Sequence, residues 1–329
     1  MVQLLGHGTQ AKGSQNQAWR KKLVGQEVEA RAREDARQRK IGLMIVVAGV
    51  TAISFDALLI RLAETSSWTV IFWRGLFTFL SLSAVLGVKK GKSAFRVFTQ
   101  SPKTAWASAL LFGTGGMFFV TSVMFTTVAN TVVIISSAPL FAAMFTRILG
   151  IELIPWRTWI AIFLALCGVV LVFAGSLGQG GLFGDFIAVL AACNAGGNLT
   201  MLRRHPQLSR MPLVCLGGLI MAVLVWFWAE PFQVSPEGFF YLAVMGLVQM
   251  PLALFLIAQS TRYLPSPEVT LFLIVETVLS PIWVWFVLGE VPPGMTYFGG
   301  SLIVLTLVVH SWMGMREIKR LQRVAAAKA

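Results

Sequence analysis

The chain has 329 residues, of which 56% are hydrophobic and only 12% are charged. An ordinary globular protein is about a quarter charged, so this composition excludes a soluble domain and indicates a membrane protein. The formal net charge of +13 does not indicate nucleic-acid binding, because the basic residues flank the apolar segments and form no separate basic domain.

Ten apolar segments follow residue 40, each near the ~20 residues that cross a hydrocarbon core of ~30 Å. They predict an all-α membrane protein with ten transmembrane helices. The predicted segments are Ile41–Ile60, Trp68–Val88, Thr104–Phe125, Asn130–Gly150, Trp156–Ala174, Phe183–Met201, Leu213–Ala229, Gly238–Ser260, Val269–Leu288 and Gly294–Met313.

The distribution of basic residues predicts the orientation. With the N-terminus in the cytoplasm, every lysine and arginine except Arg61 and Arg74 falls in a segment at the cytoplasmic side, as the positive-inside rule requires. We therefore predict a multi-pass protein of the cell inner membrane with both termini cytoplasmic. Residues 1–40 and 315–329 are predicted to be basic cytoplasmic tails. Residues 1–40 contain no apolar signal-peptide core, so the first helix is expected to serve as the insertion signal.

A long pattern occurs twice in the chain. Residues 130–174 and 268–309 each contain an apolar run that ends at a glutamate, a short turn with proline, and a second apolar run. A shift of 138 residues places Glu152 on Glu290. This duplication predicts two five-helix repeats, residues 41–175 and 183–314, joined by a linker at 176–182. Because five is odd, the second repeat enters the membrane from the opposite side, which makes an inverted repeat of the kind found in secondary transporters.

Three short motifs accompany this duplication. They are Ser-Ala-Pro before Leu140, Gly-Ile-Glu152 and Leu-Gly-Glu290. Together they resemble the EamA-type family of the drug/metabolite transporter superfamily, over about Ile41 to Met313. The resemblance implies ten transmembrane helices in two halves and transport of small organic metabolites, without specifying which metabolite.

Asp56 and Arg74 are charged residues inside apolar segments, at comparable depth from the predicted outer surface. A charge at mid-bilayer costs about 2.5 to 3.5 kcal/mol on insertion scales, so such residues usually face a cavity or each other. One interpretation is a structural pair, or side chains that snorkel to the surface. The other is that Arg74 binds an anionic group in the transport pathway, and the resemblance also implies an arginine in this helix.

Further polar residues are candidates for substrate binding. Asn194 and Asn198 lie four residues apart and so share one helix face, which favours either a pathway lining or hydrogen bonds between helices. Ser137 and Gln249 lie near the middle of their segments, and we include both in the predicted substrate site.

Glu276 is our leading candidate. It lies near the middle of its predicted helix, where an unpaired ionised carboxylate would be very costly, so it must be neutral, paired or hydrated. The family typically has Glu-Pro here, whereas this chain has Glu276-Thr277 with Pro281 further on, so the local helix geometry departs from the family pattern. The alternative is a protonated glutamate that bonds a neighbouring helix.

Prolines and surface glutamates are predicted to have structural or hinge roles. Pro139, Pro251 and Pro281 each interrupt a predicted helix and free a backbone carbonyl, which needs another partner in the dry core. Glu152 and Glu290 close the two copies of the pattern at the membrane surface. We expect each to satisfy amide donors at the beginning of the following helix.

Catalysis, metals and cofactors are not predicted. The sequence has no HExxH or GxSxG motif, and its histidines, His7, His205 and His310, are not central. Cys167, Cys193 and Cys215 lie in three different apolar segments and are expected to be buried free thiols. The glycine- and lysine-rich residues 87–93 lack the spacing and the preceding strand of a phosphate-binding loop.

The sequence therefore predicts a secondary transporter that exports amino acids or similar amphipathic metabolites by alternating access about a midplane cavity. Its expected partners are a small-molecule substrate and the lipid bilayer, and a homodimer is compatible with the sequence. The alternatives are a receptor or scaffold that does not transport, and a flippase for a lipid-linked group.

Overall fold

The computed structural model of the chain describes residues 37–90, 103–150, 156–177, 181–205, 208, 210–264 and 266–328. All regular structure in these residues is helical, and they contain no strand. We number the helices α1 (Arg37–Leu62), α2 (Ser67–Lys90), α3 (Lys103–Phe125), α4 (Val128–Ile148), α5 (Trp156–Ser176), α6 (Leu182–Arg204), α7 (Arg210–Val225), α8 (Pro236–Ser260), α9 (Ser266–Leu288) and α10 (Gly294–Lys328).

Eight of these helices are long and apolar enough to cross a membrane, which confirms the predicted all-α membrane fold at that level. The shorter apolar helices are α7 and the Phe272–Leu288 part of α9. Most boundaries agree with the predicted segments within a few residues. The main difference is α10, which continues to Lys328, well past the predicted end of its apolar segment.

Helix α4 is divided in two at the predicted position. Its parts are Val128–Ile135 and Ala138–Ile148, with Pro139 in the first turn of the second part. At the break, Ser136 Oγ donates to the carbonyl of Val133 at 2.7 Å and Ser137 Oγ donates to that of Ile134 at 2.6 Å. Neighbouring serines therefore satisfy carbonyls at the break, as backbone in a dry core requires.

Irregular backbone in α1 and α8 meets in the same region. Helix α8 contains a π-helical segment, Val244–Gln249, just before Pro251, and α1 has a turn at Phe55. Gln249 Nε2 donates to the carbonyl of Ala52 at 2.9 Å. Ser280 Oγ of α9 donates to the carbonyl of Ser54 at 3.0 Å. Side chains of α8 and α9 thus satisfy the carbonyls beside the turn in α1.

Two pairs of helices pack closely through glycines, each of which lies beside the backbone carbonyl of the other. A Cβ added to Gly75 of α2 would lie 2.6 Å from the carbonyl oxygen of Gly218 in α7, and one added to Gly218 would lie 2.7 Å from that of Gly75. Gly168 of α5 and Gly299 of α10 approach each other in the same way. Small residues allow membrane helices to pack with their backbones in near contact. Each pair joins a helix of the first predicted repeat to the helix in the same position of the second.

Other features recur in corresponding places. Gly150 follows α4 with φ of 65°, and Gly289 follows α9 with φ of 68°, a left-handed conformation that glycine adopts without a steric penalty. A buried apolar cluster includes Ile60, Ile71 and Val120 and joins the predicted outer ends of α1, α2, α3 and α4 to α7, α8 and α9. Its residue Met221 also lines the cavity described next.

Candidate functional site

A cavity of about 190 Å³ lies among α2, α3, α4, α6, α7 and α8. These helices come from both predicted repeats. Its polar lining comes from Arg74, Thr78, Asn194 and Asn198, and its apolar lining comes from Leu111, Phe112, Gly115, Gly116, Phe119, Ile135, Ala191, Ala195, Gly218, Met221 and Met250. Three of the predicted site residues therefore meet in one cavity.

Arg74 is held from behind by Asp56. Arg74 Nη2 donates to Asp56 Oδ2 at 2.6 Å, and the two residues are only 5% and 4% exposed. Both earlier interpretations of Arg74 are therefore compatible with its position, since the arginine is paired and also lines the cavity. Its guanidinium carbon lies 5.3 Å from the centre of the Phe119 ring, within the range of a cation–π contact. Nη1 has no hydrogen-bond partner among the described residues.

Asn194 presents an amide oxygen on the opposite wall. Its Nδ2 donates to Thr114 Oγ1 at 2.8 Å, and the Thr114 hydroxyl donates to the carbonyl of Leu110, also at 2.8 Å. Because the only hydroxyl proton of Thr114 is used there, Thr114 accepts from Asn194, which fixes the amide orientation. The Oδ1 atom of Asn194 is buried and has no partner in the described part of the chain.

Asn198 lies one helical turn further along the same wall. Its Oδ1 accepts a hydrogen bond of 2.6 Å from Ser108 Oγ of α3. Each asparagine therefore bonds α3 and also lines the cavity. Both interpretations of their spacing, hydrogen bonds between helices and a pathway lining, are compatible with these positions. This dual use follows from their position at the α3–α6 interface.

Glu276 is half-buried on α9 and does not line this cavity. Asp56 and Arg74 both lie within electrostatic reach of its carboxylate. Glu276 therefore lies near the Asp56–Arg74 pair but outside the lining of the cavity. The three residues belong to α9, α1 and α2.

Two other predicted site residues lie elsewhere. Ser137 bonds its own helix at the α4 break and borders a separate apolar crevice of about 30 Å³. Gln249 is turned toward α1, where its amide nitrogen bonds the carbonyl of Ala52, while its Oε1 has no partner among the described residues. Sequence position near mid-helix did not determine which way these side chains face.

A polar cluster ties together the predicted outer ends of four helices. Arg61 at the end of α1 lies 3.1 Å from Glu290 Oε2 and donates from Nη2 to the carbonyl of Thr126 at 2.8 Å. The backbone N–H of Val128, the first residue of α4, donates to Glu290 Oε1 at 2.7 Å. Glu290 therefore satisfies an amide at the beginning of α4, whereas the sequence pattern led us to expect the beginning of α10. The matching residue Glu152 lies outside the described residues.

Asp185 was not recognised from the sequence. It is fully buried in the first turn of α6, and its Oδ1 accepts from Thr126 Oγ1 at 2.6 Å and from Asn130 Nδ2 at 3.0 Å. Asn130 also donates to Ser176 Oγ and accepts from Thr296 Oγ1. The first turns of α4, α6 and α10 thus meet in one hydrogen-bonded cluster around Asp185, in which Thr296 of α10 bonds Asn130 and not the carboxylate. Helix N-termini stabilise negative charge. Its signal in the sequence was an acidic residue just inside an apolar segment.

Metal binding finds no support in the part of the chain that the structure describes, which contains no group of three or more His, Cys, Asp or Glu side chains able to hold an ion. The cysteines Cys167, Cys193 and Cys215 are free thiols, and Cys215 is buried while the other two are half-buried.

Comparison with known proteins agrees with this architecture. A solved crystal structure superposes with a TM-score of 0.58 at 15% sequence identity, covering 84% of this chain and 98% of the other, and this likeness concerns the fold alone. The chain is also similar to the uncharacterized transporter YdfC of Bacillus subtilis, with 25% identity over 185 residues. That match covers 52% of this chain and spans 58% of the length of the relative. The model of the EamA-like transporter family matches residues 40–174 and 182–312. The chain is a multi-pass membrane protein that belongs to the EamA-like transporter family.

Proposed function

We propose that this protein carries a small amphipathic metabolite, such as an amino acid, out of the cell by alternating access about the cavity beside Arg74. The observation that carries this proposal is the lining of the cavity by six helices drawn from both predicted repeats. Rocking of one repeat against the other would expose such a cavity to each side of the membrane in turn. In this proposal all ten helices span the inner membrane, in inverted repeats with cytoplasmic termini.

The reciprocal glycine pairs support the inverted arrangement. Gly75 with Gly218, and Gly168 with Gly299, join helices in equivalent positions of the two proposed repeats. A two-fold axis in the membrane plane relates such positions, so contacts across the axis are expected to be reciprocal. The linkers and tails at 1–40, 176–182 and 315–329 stay outside this repeat.

In the proposed mechanism, Arg74 binds an anionic group of the substrate while Asn194 and Asn198 bind its other polar groups. Asp56 holds the guanidinium in place, and the carboxyl group of Glu276 influences the electrostatic potential at the Asp56–Arg74 pair. The contact of Arg61 with Glu290 and Thr126 closes the outer end of the pathway in this conformation. The cavity is complete within one chain, so a homodimer is not needed to build it.

Counterflow in proteoliposomes tests this proposal. Vesicles loaded with an unlabelled panel of amphipathic metabolites should accumulate labelled substrate when they contain the wild-type protein. Arg74→Gln and Glu276→Gln should lower the flux at least about tenfold, and Arg262→Gln, which removes an exposed arginine, should not. Wild-type flux and affinity in both site variants would rule out the site assignment. Ligand binding without any counterflow would favour the receptor alternative.

A further inference from the structure

Two residues that line the cavity each have a buried polar atom with no hydrogen-bond partner among the described residues. These atoms are Nη1 of Arg74 on α2 and Oδ1 of Asn194 on α6. A donor or acceptor that is buried without a partner is costly, so a ligand that satisfies both atoms gains affinity from both. The ligand must therefore offer an acceptor to Arg74 and a donor to Asn194.

The charge on the wall determines which acceptor and which donor fit. Among the described residues that line the cavity, Arg74 is the only charged one. Asp56 accepts from Arg74 through Oδ2, and neither Asp56 nor Glu276 is among the lining residues. A carboxylate on the ligand would thus meet a guanidinium, which binds carboxylates strongly. An ammonium group would meet only the neutral oxygen of Asn194 and would lose its hydration without a counter-charge.

The rest of the lining sets the shape of the ligand. Leu111, Phe112, Phe119, Met221 and Met250 surround the polar atoms with apolar and aromatic surface. An aliphatic or aromatic body fits this wall, and methionine side chains adapt to different outlines. A small, highly hydrophilic anion would leave that surface unused.

We infer that the cavity is selective for amphipathic monocarboxylates whose second polar group is a neutral donor, a hydroxyl or an amide N–H, over zwitterions and cations of the same shape. This inference rests on the proposed function and narrows its substrate to one charge class. A hydroxy acid then replaces the free amino acid given there as an example, because a free amino acid is a zwitterion. The carboxylate bonds Arg74 Nη1, the neutral donor bonds Asn194 Oδ1, and the apolar body packs against the wall.

Four compounds with the same branched carbon skeleton test the charge preference by titration calorimetry on the purified full chain. They are 2-hydroxy-4-methylpentanoate (anion), leucine (zwitterion), leucinol (cation) and 4-methylpentanoate (anion without the donor). The hydroxy acid should bind at least about tenfold more tightly than leucine, and leucinol should bind most weakly. The hydroxy acid should also bind several-fold more tightly than 4-methylpentanoate, because only it offers a donor to Asn194.

Variants test whether Asn194 Oδ1 produces the preference for a ligand with a neutral donor. Asn194→Ala should abolish the difference between the hydroxy acid and 4-methylpentanoate, while Cys193→Ala on the same helix should preserve it. Gly115→Ala is a second route, because the added Cβ would lie 3.0 Å from Asn194 Oδ1 and would crowd that oxygen. The advantage of the hydroxy acid over 4-methylpentanoate should then shrink.

Two results would overturn the inference in different ways. Leucine binding as tightly as the hydroxy acid, with affinity still lost in Asn194→Ala, would reject the charge preference and leave the proposed transport site standing. Failure of all four compounds to bind the folded wild-type chain would reject both the inference and the cavity as the binding site.

Discussion

Arg74 and Asp56 share one hydrogen bond of 2.6 Å. Nη1 of the arginine and Oδ1 of the aspartate are both buried and lack partners in the described part of the chain. A bidentate pair would use both of these atoms. The single bond holds the guanidinium of a residue that lines the cavity and leaves its Nη1 without a partner among the described residues.

The first prediction concerns the stability of this pair. Asp56→Asn should lower the free energy of unfolding by about 3 to 5 kcal/mol, because it leaves the buried Arg74 charge without a counter-ion. The double variant Asp56→Asn with Arg74→Gln should recover much of this loss. Denaturant unfolding in detergent micelles measures all three proteins. A double variant as unstable as the sum of its single variants would show that the two residues do not act as a pair.

The second prediction concerns the outer closure. Glu290→Gln keeps an oxygen for the Val128 N–H but removes the ion pair with Arg61. Both side chains are partly exposed, so the pair contributes about 1 kcal/mol at most, or about a fivefold change in an opening equilibrium. Met124 lies at the wall of a pocket of about 320 Å³ that Arg61 and Glu290 also line. We expect Met124→Cys to react several-fold faster with a water-soluble thiol reagent in this variant.

The control for this measurement is Glu237→Gln, which removes an exposed glutamate at the same end of the bundle. All variants are built on a chain without Cys167, Cys193 and Cys215. High salt should also accelerate the reaction, because it screens a partly exposed pair. Equal reaction rates in Glu290→Gln and Glu237→Gln would show that the Arg61 contact does not close this end.

The third prediction concerns the contact between α2 and α7. Gly75→Ala and Gly218→Ala each place a methyl group less than 3 Å from a backbone carbonyl of the other helix, so each should destabilise the fold by about 1 to 3 kcal/mol. Gly87→Ala on α2 meets open space. It should be neutral or stabilising by up to about 1 kcal/mol, because alanine is the better helix former. Thermal unfolding compares the three variants. If Gly87→Ala were equally destabilised, the contact of the added methyl group with the other helix would not be the cause of the destabilisation.

The fourth prediction concerns Asp185. Asp185→Ala leaves the Thr126 hydroxyl and an Asn130 N–H without their acceptor, and should lower the free energy of unfolding by about 1 to 3 kcal/mol. Asp185→Asn retains an oxygen for both donors and should cost less, since it loses only the interaction of the charge with the three helix beginnings. Equal stability of the alanine and asparagine variants would contradict an acceptor role. Unfolding followed by tryptophan fluorescence provides the measurement.

Some elements of the fold could be predicted from residues that lie close together in the sequence. The break in α4 follows from Pro139, since proline cannot donate in the helix and crowds the preceding turn. The positions of the helices follow from apolar length, which the bilayer thickness imposes on any spanning segment. The motif ending at Glu290 identified the family over most of the chain. These features depend on residues close in sequence, so a linear reading can find them.

The orientation of individual side chains could not be predicted from nearby residues. Asn194 and Asn198 were predicted from their spacing to share a face, and they do. Gln249 was selected because it lies near mid-helix, but it bonds a carbonyl of α1. Asp185 was not selected from the sequence, and its role depends on Asn130 and Thr126, which fold beside it. Each of these outcomes depends on a partner from a distant part of the chain.

The sequence by itself determined that this protein is helical, lies in a membrane and belongs to its transporter family, because apolar length and family motifs are properties of the linear chain. Only the tertiary structure decided that Arg74 and Asn194 line one cavity, each with a buried polar atom that has no partner among the described residues. Helix rotation and packing set those positions, and they depend on contacts such as Gly75 with Gly218 that no single segment contains.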